Sequence, residues 1–252
     1  MITGVKAYSI DRYTEKLLIN PTDMNPTFKP FYNKCQLKPK PEKGPEETTI
    51  EYINRLSKEL YLSIGNFSLE YDGKFRSRQY NSSFRLQYIS DNKELHFGHL
   101  SWNNKRQDRD INLLCLDISN YLFYQETIDI EAIRLELLET FKVQHNNYHQ
   151  FDICLDTNYD MIRNFERRYF NMKKYYFKST NKIDKETLKI LGYRRSDIIG
   201  EQFLFKSPSY NEQFRFYNKT MELESNDNKV YMKDYFVKNN LDIRSLNVLN
   251  RI

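Results

Sequence analysis

The stretch Phe151-Asp152-Ile153-Cys154-Leu155-Asp156 alternates apolar and polar residues with period two, which reads as a β-strand with two unlike faces. Phe151, Ile153 and Leu155 then share one face, and Asp152, Cys154 and Asp156 the other. The two carboxylates, on one face of the strand, are expected to bind a single divalent cation with help from elsewhere. Mg²⁺ and Mn²⁺ are the expected ions, because both favour oxygen ligands. The plainer reading is an edge strand with a solvated face, or Asp156 capping a turn before Asn158.

Downstream, Gln213-Phe-Arg-Phe-Tyr-Asn-Lys219 alternates in the same way. Phe214 and Phe216 face one side, and Arg215, Tyr217 and Lys219 the other. A phenol between two cations is equipped as a nucleophile on phosphorus: the cations grip the phosphate, stabilise developing charge and favour the phenolate. Against this stands the abundance of tyrosine, 20 residues in all, most of which must be structural. This strand pairs with Glu201 to Phe205 as a hairpin around Lys206-Ser-Pro-Ser-Tyr-Asn211.

Between the two motifs lies a basic, aromatic segment. Arg163, Arg167, Arg168, Lys173, Lys174, Lys178 and Lys182 face only Glu166, with Phe165, Tyr169, Phe170, Tyr175, Tyr176 and Phe177 interleaved. A smaller stretch holds Lys74, Arg76, Arg78 and Arg85 beside Tyr80 and Phe84. Cations supply phosphate contacts and rings supply stacking faces, which is what single-stranded nucleic acid needs. The plainer reading is a solvated basic helix whose rings face the core. The net charge of +5 agrees with an anionic partner without requiring one.

The rest of the chain frames these motifs. Val5 to Ile10 reads as a short strand. Six prolines between residues 21 and 45 read as a loop or extended arm. Thr48 and Glu51 form a capping box for a helix with Ile53, Leu56 and Leu60 on its apolar stripe. Phe67 to Tyr71, Phe84 to Ile89, Glu94 to Trp102 and Ile111 to Ile118 read as strands. Asp129 caps a helix with Ile130, Ile133, Leu137, Leu138 and Phe141 on one face. Tyr159 to Phe170 reads as a helix, Tyr175 to Lys178 as a strand, and Asp184 to Leu191 as a helix. The fold class is therefore α+β, antiparallel sheets with helices packed on one face. One half ends near residue 125, giving two similar sheet-plus-helix lobes: residues 1–125, with the proline-rich arm, and residues 126–252, with the Asp152 and Tyr217 strands.

Glycine is scarce, at 7 residues, and no apolar run approaches a membrane span. Cys35, Cys115 and Cys154, three at wide spacing, read as buried free thiols in a cytoplasmic protein. His96 and His99, on opposite faces of their strand, share no metal on this reading. His145 and His149 flank Asn146-Asn147, which reads as a loop. Walker-type loops, zinc-knuckle cysteines and a Gly-x-Ser-x-Gly elbow are absent from the sequence.

The two strand motifs together resemble the replication initiation factor family of rolling-circle plasmids, which includes relaxases of integrative elements and initiators of filamentous phages. Members carry an Asp-hydrophobic-x-hydrophobic-Asp strand preceded by a basic residue, where this chain has Gln150 and Phe151. Their later Arg-hydrophobic-Tyr-Asn/Asp-Lys strand is matched by Arg215-Phe216-Tyr217-Asn218-Lys219. The resemblance covers about residues 148 to 222. It implies a strand-transfer endonuclease whose tyrosine, here Tyr217, forms a 5′-phosphotyrosyl link and leaves a 3′-hydroxyl. Asp152 is then the first metal ligand, with Asp156, Arg215 and Lys219 supporting. Origin DNA, single-stranded or hairpin, a helicase and a second copy of the chain are the implied partners. Family members also carry a later strand with Arg and Glu, and Asn250-Arg251-Ile252 resembles its beginning. The competing expectation is a non-catalytic single-stranded or origin DNA-binding protein of a phage or mobile element.

Overall fold

The computed structural model describes residues 6–37, 43–72, 80–90, 93–104, 112–158, 176–179, 202–206, 213–224, 229–245 and 247–251. The fold class is α+β. The chain divides into two compact units that are not consecutive stretches. One holds residues 12–122 and 126–150; the other holds residues 1–11, 123–125 and 151–252.

In the first unit the strands run in the order β2 (Tyr61–Ile64), β3 (Phe67–Tyr71), β4 (Tyr80–Ser90), β5 (Lys93–Asn104), β6 (Leu113–Ile118), β1 (Lys6–Ile19) and β7 (Val143–Thr157). The pairings from β2 through to β1 are antiparallel. Three helices complete it: α1 (Phe28–Leu37), α2 (Thr49–Glu59) and α3 (Ile130–Phe141). α2 starts at the expected capping box of Thr48 and Glu51, and the Asp129 side chain caps α3 by accepting from the Ala132 N–H.

α1 overturns the expectation of an extended proline-rich arm. Phe28, Phe31, Tyr32 and Cys35 recur at helical spacing and are all buried. Pro30 falls in the first turn, where its missing N–H costs no helical hydrogen bond. The reward is an aromatic core: Phe84 stacks on Trp102 at 4.5 Å between centroids, and Phe28 meets Phe141 edge-on at 4.9 Å.

A buried ion pair ties β1 to α3. Arg134 donates to both oxygens of Glu15, at 2.7 and 2.6 Å, while Tyr13 donates to the same carboxylate at 3.0 Å and His145 also bonds to it. His145 is there because β7 runs unbroken through Asn146-Asn147, where a loop was expected. Asparagine is a poor strand former; here, pairing overrides its preference.

In the second unit the strand order is β1, β7, β11 (Asn247–Arg251), β10 (Gln213–Asn218), β9 (Gln202–Lys206) and β8 (Tyr176–Ser179). The divide falls within β1 and β7, so each strand passes through both units. The expected β9–β10 hairpin pairing is present and antiparallel. Two helices that the sequence reading lacked, α4 (Lys219–Glu224) and α5 (Val230–Lys238), follow β10. Leu223, Met232, Phe236 and Leu241 pack with Ala7 and Tyr124 into a separate core. Asn158 and Asp242 exchange two hydrogen bonds, at 2.6 and 2.8 Å, and Thr220 donates to the Ile243 carbonyl at 2.6 Å. These bonds join the end of β7 and the start of α4 to the turn before β11.

All three cysteines are free and buried. Among the described residues, no helix is long and apolar enough to cross a membrane. The expected helices at 159–170 and 184–191 lie outside the described residues.

Candidate active site

The site is built by register. β11 lies between the two motif strands, antiparallel to both. Val248 is directly opposite Asp156 on β7 and directly opposite Tyr217 on β10. Directly opposed residues lie on the same face of the pleat, so Asp156, Val248 and Tyr217 form one row. Two interstrand spacings put the Asp156 and Tyr217 positions about 10 Å apart across the sheet. On β9 the row continues to Gln202.

The neighbouring row on that face carries cations. Cys154 is opposite Asn250, Asn250 opposite Arg215, Arg215 opposite Leu204, and Leu204 opposite Lys178. One row further, Lys206 stands opposite both Gln213 and Tyr176. The alternate rows hold Phe177, Phe203, Phe205, Phe214, Phe216 and Leu249. Period-two patterning therefore runs coherently across four strands. Lys206, taken as a loop residue in the sequence, enters this set of rows through pairing alone.

Asp152 and Asp156 are four residues apart in one unbroken strand, about 13 Å at ~3.3 Å per residue. One cation cannot span that distance. Asp156 shares the row with Tyr217, and Asp152 does not. Among the described residues, no three His, Cys, Asp or Glu side chains come together to hold a metal.

Asp156 is 1% exposed. Ser9 of β1 donates to its Oδ2 at 2.9 Å, and Tyr124 donates to Ser9 Oγ at 3.3 Å. Neither residue carried a signal in the sequence, since each meets Asp156 only through tertiary pairing. Burial, then the negative charges of Asp11 and Asp156, push the Tyr124 phenol far above its ordinary value.

Lys219 departs from expectation. β10 ends at Asn218, and Lys219 opens α4 with 1% of its surface exposed. The alternation that would have put it beside Tyr217 stops one residue short. An interior ammonium is not placed to grip a phosphate arriving from solvent.

Of the expected DNA-binding residues, Arg163, Arg167, Arg168, Lys173 and Lys174 lie outside the described residues, and Lys178 is the one that β8 places. In the smaller basic stretch, Tyr80 and Phe84 are core residues. Arg85 meets Asp72 at 3.3 Å and Glu70 at 4.0 Å. That stretch is structural where it is described.

His96 and His99 were expected on opposite faces. A bulge at Phe97, opposite the step from Leu86 to Gln87, shifts the register, and the two rings meet at 5.2 Å. His99 contacts Asp72 at 3.4 Å. Burial, then nearby positive charge, pushes His96 down to about 4. The pair is neutral packing beside Asp72.

No family model and no curated protein matches the chain. Among solved structures, the rolling circle replication initiator protein from Geobacillus stearothermophilus is similar at 13% identity and a TM-score of 0.39. The likeness covers 97% of this chain and 74% of that one. A TM-score that low fixes neither fold nor activity.

Proposed function

We propose that the protein breaks one strand of DNA by attack of the Tyr217 phenol on a phosphodiester, keeping the 5′-phosphate as a covalent link. The observation that carries this reading is the register row of Asp156, Val248 and Tyr217. It brings the two motifs that resemble replication initiation factors onto one sheet face with a single strand between them.

The phenolic oxygen forms the new bond to phosphorus as the bond to the 3′-oxygen breaks. The phenolic proton ends on the departing 3′-oxygen, so the transfer balances without a co-reactant. Arg215 and Lys178, one row away, hold the non-bridging oxygens and offset the charge that builds there. No step is assigned to a metal. Origin DNA, single-stranded or hairpin, as the substrate, and a helicase and a second copy as partners, follow from the family resemblance alone.

The test is incubation with circular single-stranded DNA, with and without Mn²⁺, followed by a denaturing gel. A protein–DNA adduct that disappears in Tyr217→Phe supports the reading. A second reading, strand binding without cleavage, is favoured by the burial of Asp156 and Lys219. It takes over if the protein binds the DNA tightly and no adduct forms in either condition.

A further inference from the structure

We propose that two copies of the chain pair along the outer edge of β7, antiparallel and about a two-fold axis between Asn146 and Asn147. The inference concerns the first unit and rests on a strand edge, not on the strand-breaking reading or the family resemblance.

β1 lies on one side of β7, and β11 on the other side pairs with Ile153–Thr157. Among the described residues, no strand adjoins Val143–Asn147 on that outer side. Exposure separates the two neighbouring strands. Tyr13, Thr14, Glu15 and Leu17 of β1 are buried, whereas residues 144–149 of β7 are exposed one after another. An edge strand presents backbone groups that are ready to pair with another strand.

Proteins blunt such edges by shortness, charge, proline or a bulge. The two terminal strands of the sheet follow that rule: β2 and β8 have four residues each, and β8 contains Lys178. The β7 stretch Gln144-His-Asn-Asn-Tyr-His-Gln150 has no lysine, arginine, aspartate, glutamate or proline. It also stays extended through Asn146-Asn147, a pair with little preference of its own for a strand. Pairing on the second side supplies further backbone bonds to hold it so.

The missing charges point to a second copy as the occupant. In an antiparallel self-pairing each residue meets one from its own segment, so charges of one sign would meet near the axis. Charged residues make up 29% of the chain, yet seven successive positions on this strand avoid them. Their amides and imidazoles offer both donors and acceptors, so they can bond to copies of themselves. An axis between Asn146 and Asn147 pairs all six exposed residues: Asn146 with the partner's Asn147, His145 with the partner's Tyr148, and Gln144 with the partner's His149. Such a pairing closes on itself and recruits no third copy. A seam of this length is small beside the roughly 1,600 Å² of a standard interface, so the association is expected to be weak.

The experiment is sedimentation velocity of the full chain, without DNA, over a concentration series. It compares wild type, Asn146→Lys/Asn147→Lys, Asn146→Asp/Asn147→Asp and an equal mixture of the two variants. Wild type is expected to pass from monomer to dimer, and amide exchange of residues 144–149 to slow as it does. Each variant alone sets two like-charged pairs across the axis and should weaken association about tenfold. The mixture sets opposite charges across it and should restore association. If a variant does not fold, wild-type amide exchange carries the test. A wild type that stays monomeric throughout, or a dimer whose residues 144–149 exchange as in the monomer, overturns the inference. So does dimerisation of a folded variant with wild-type affinity. No outcome bears on Tyr217, whose test is the DNA adduct.

Discussion

Asp156 and Tyr217 stand in one register row, each directly opposite Val248 from either side of β11. They are far apart in the chain, and a one-residue slip in either pairing would move one of them to the other face of the sheet.

Tyr217→Phe removes one oxygen and no packing volume, so the fold and DNA binding should persist while adduct formation falls to background. Peptide mapping of the wild-type adduct completes the test. DNA attached to Tyr210, or to any tyrosine other than Tyr217, would falsify the site assignment and leave the reaction class intact.

Arg215 and Lys178 occupy the row next to Tyr217. Replacing each with alanine should weaken single-strand binding and reduce the slope of log affinity against log salt by about 0.7 per contact. Fluorescence anisotropy across a salt series measures this. Lys219→Ala should instead lower stability, because the ammonium is interior. An unchanged slope in both Arg215→Ala and Lys178→Ala would place the phosphate path elsewhere.

Glu15 is fully buried and bound by Arg134, His145 and Tyr13. Burial alone would raise its carboxyl, but the hydrogen bonds from Arg134 and His145 outweigh it and hold the group below its ordinary value. A depressed carboxylate stabilises the fold above the unfolded value, and that contribution is lost as pH falls through the folded value. Acid unfolding should therefore steepen below about pH 4.3, the ordinary glutamate value. Glu15→Gln should flatten that limb and cost about 3–5 kcal/mol at neutral pH by stranding Arg134. Urea unfolding from pH 3 to 7 decides it, and equal slopes in the two proteins would show that Glu15 is not the group responsible.

Gly98 has φ of +159°, and a Cβ there would sit 2.1 Å from the Asp117 carbonyl oxygen on β6. Because the obstacle is backbone, the β5–β6 pairing must open to admit a methyl. Gly98→Ala should cost about 3 kcal/mol or more, read from the urea midpoint. A loss under about 1 kcal/mol, the ordinary mutational range, would mean the bulge at Phe97 can relax.

Features whose determinants lie within a few residues were legible in the sequence. The capping box at Thr48 and Glu51, the Asp129 cap and the β9–β10 pairing are set by local hydrogen bonds and periodicities, and the structure contains them. Counting prolines hid α1, because a proline in a first turn is no obstacle and the spacing of Phe28, Phe31, Tyr32 and Cys35 was the stronger signal. The tertiary structure alone decided which strands adjoin. Alternation tells which residues of a strand share a face, but not that β11 inserts between β7 and β10, nor that Asp156 rather than Asp152 enters the Tyr217 row. Nor does it bring Ser9 and Tyr124 to Asp156, or end β10 before Lys219. Those outcomes depend on backbone pairing and burial among residues far apart in sequence, where no local pattern carries the register.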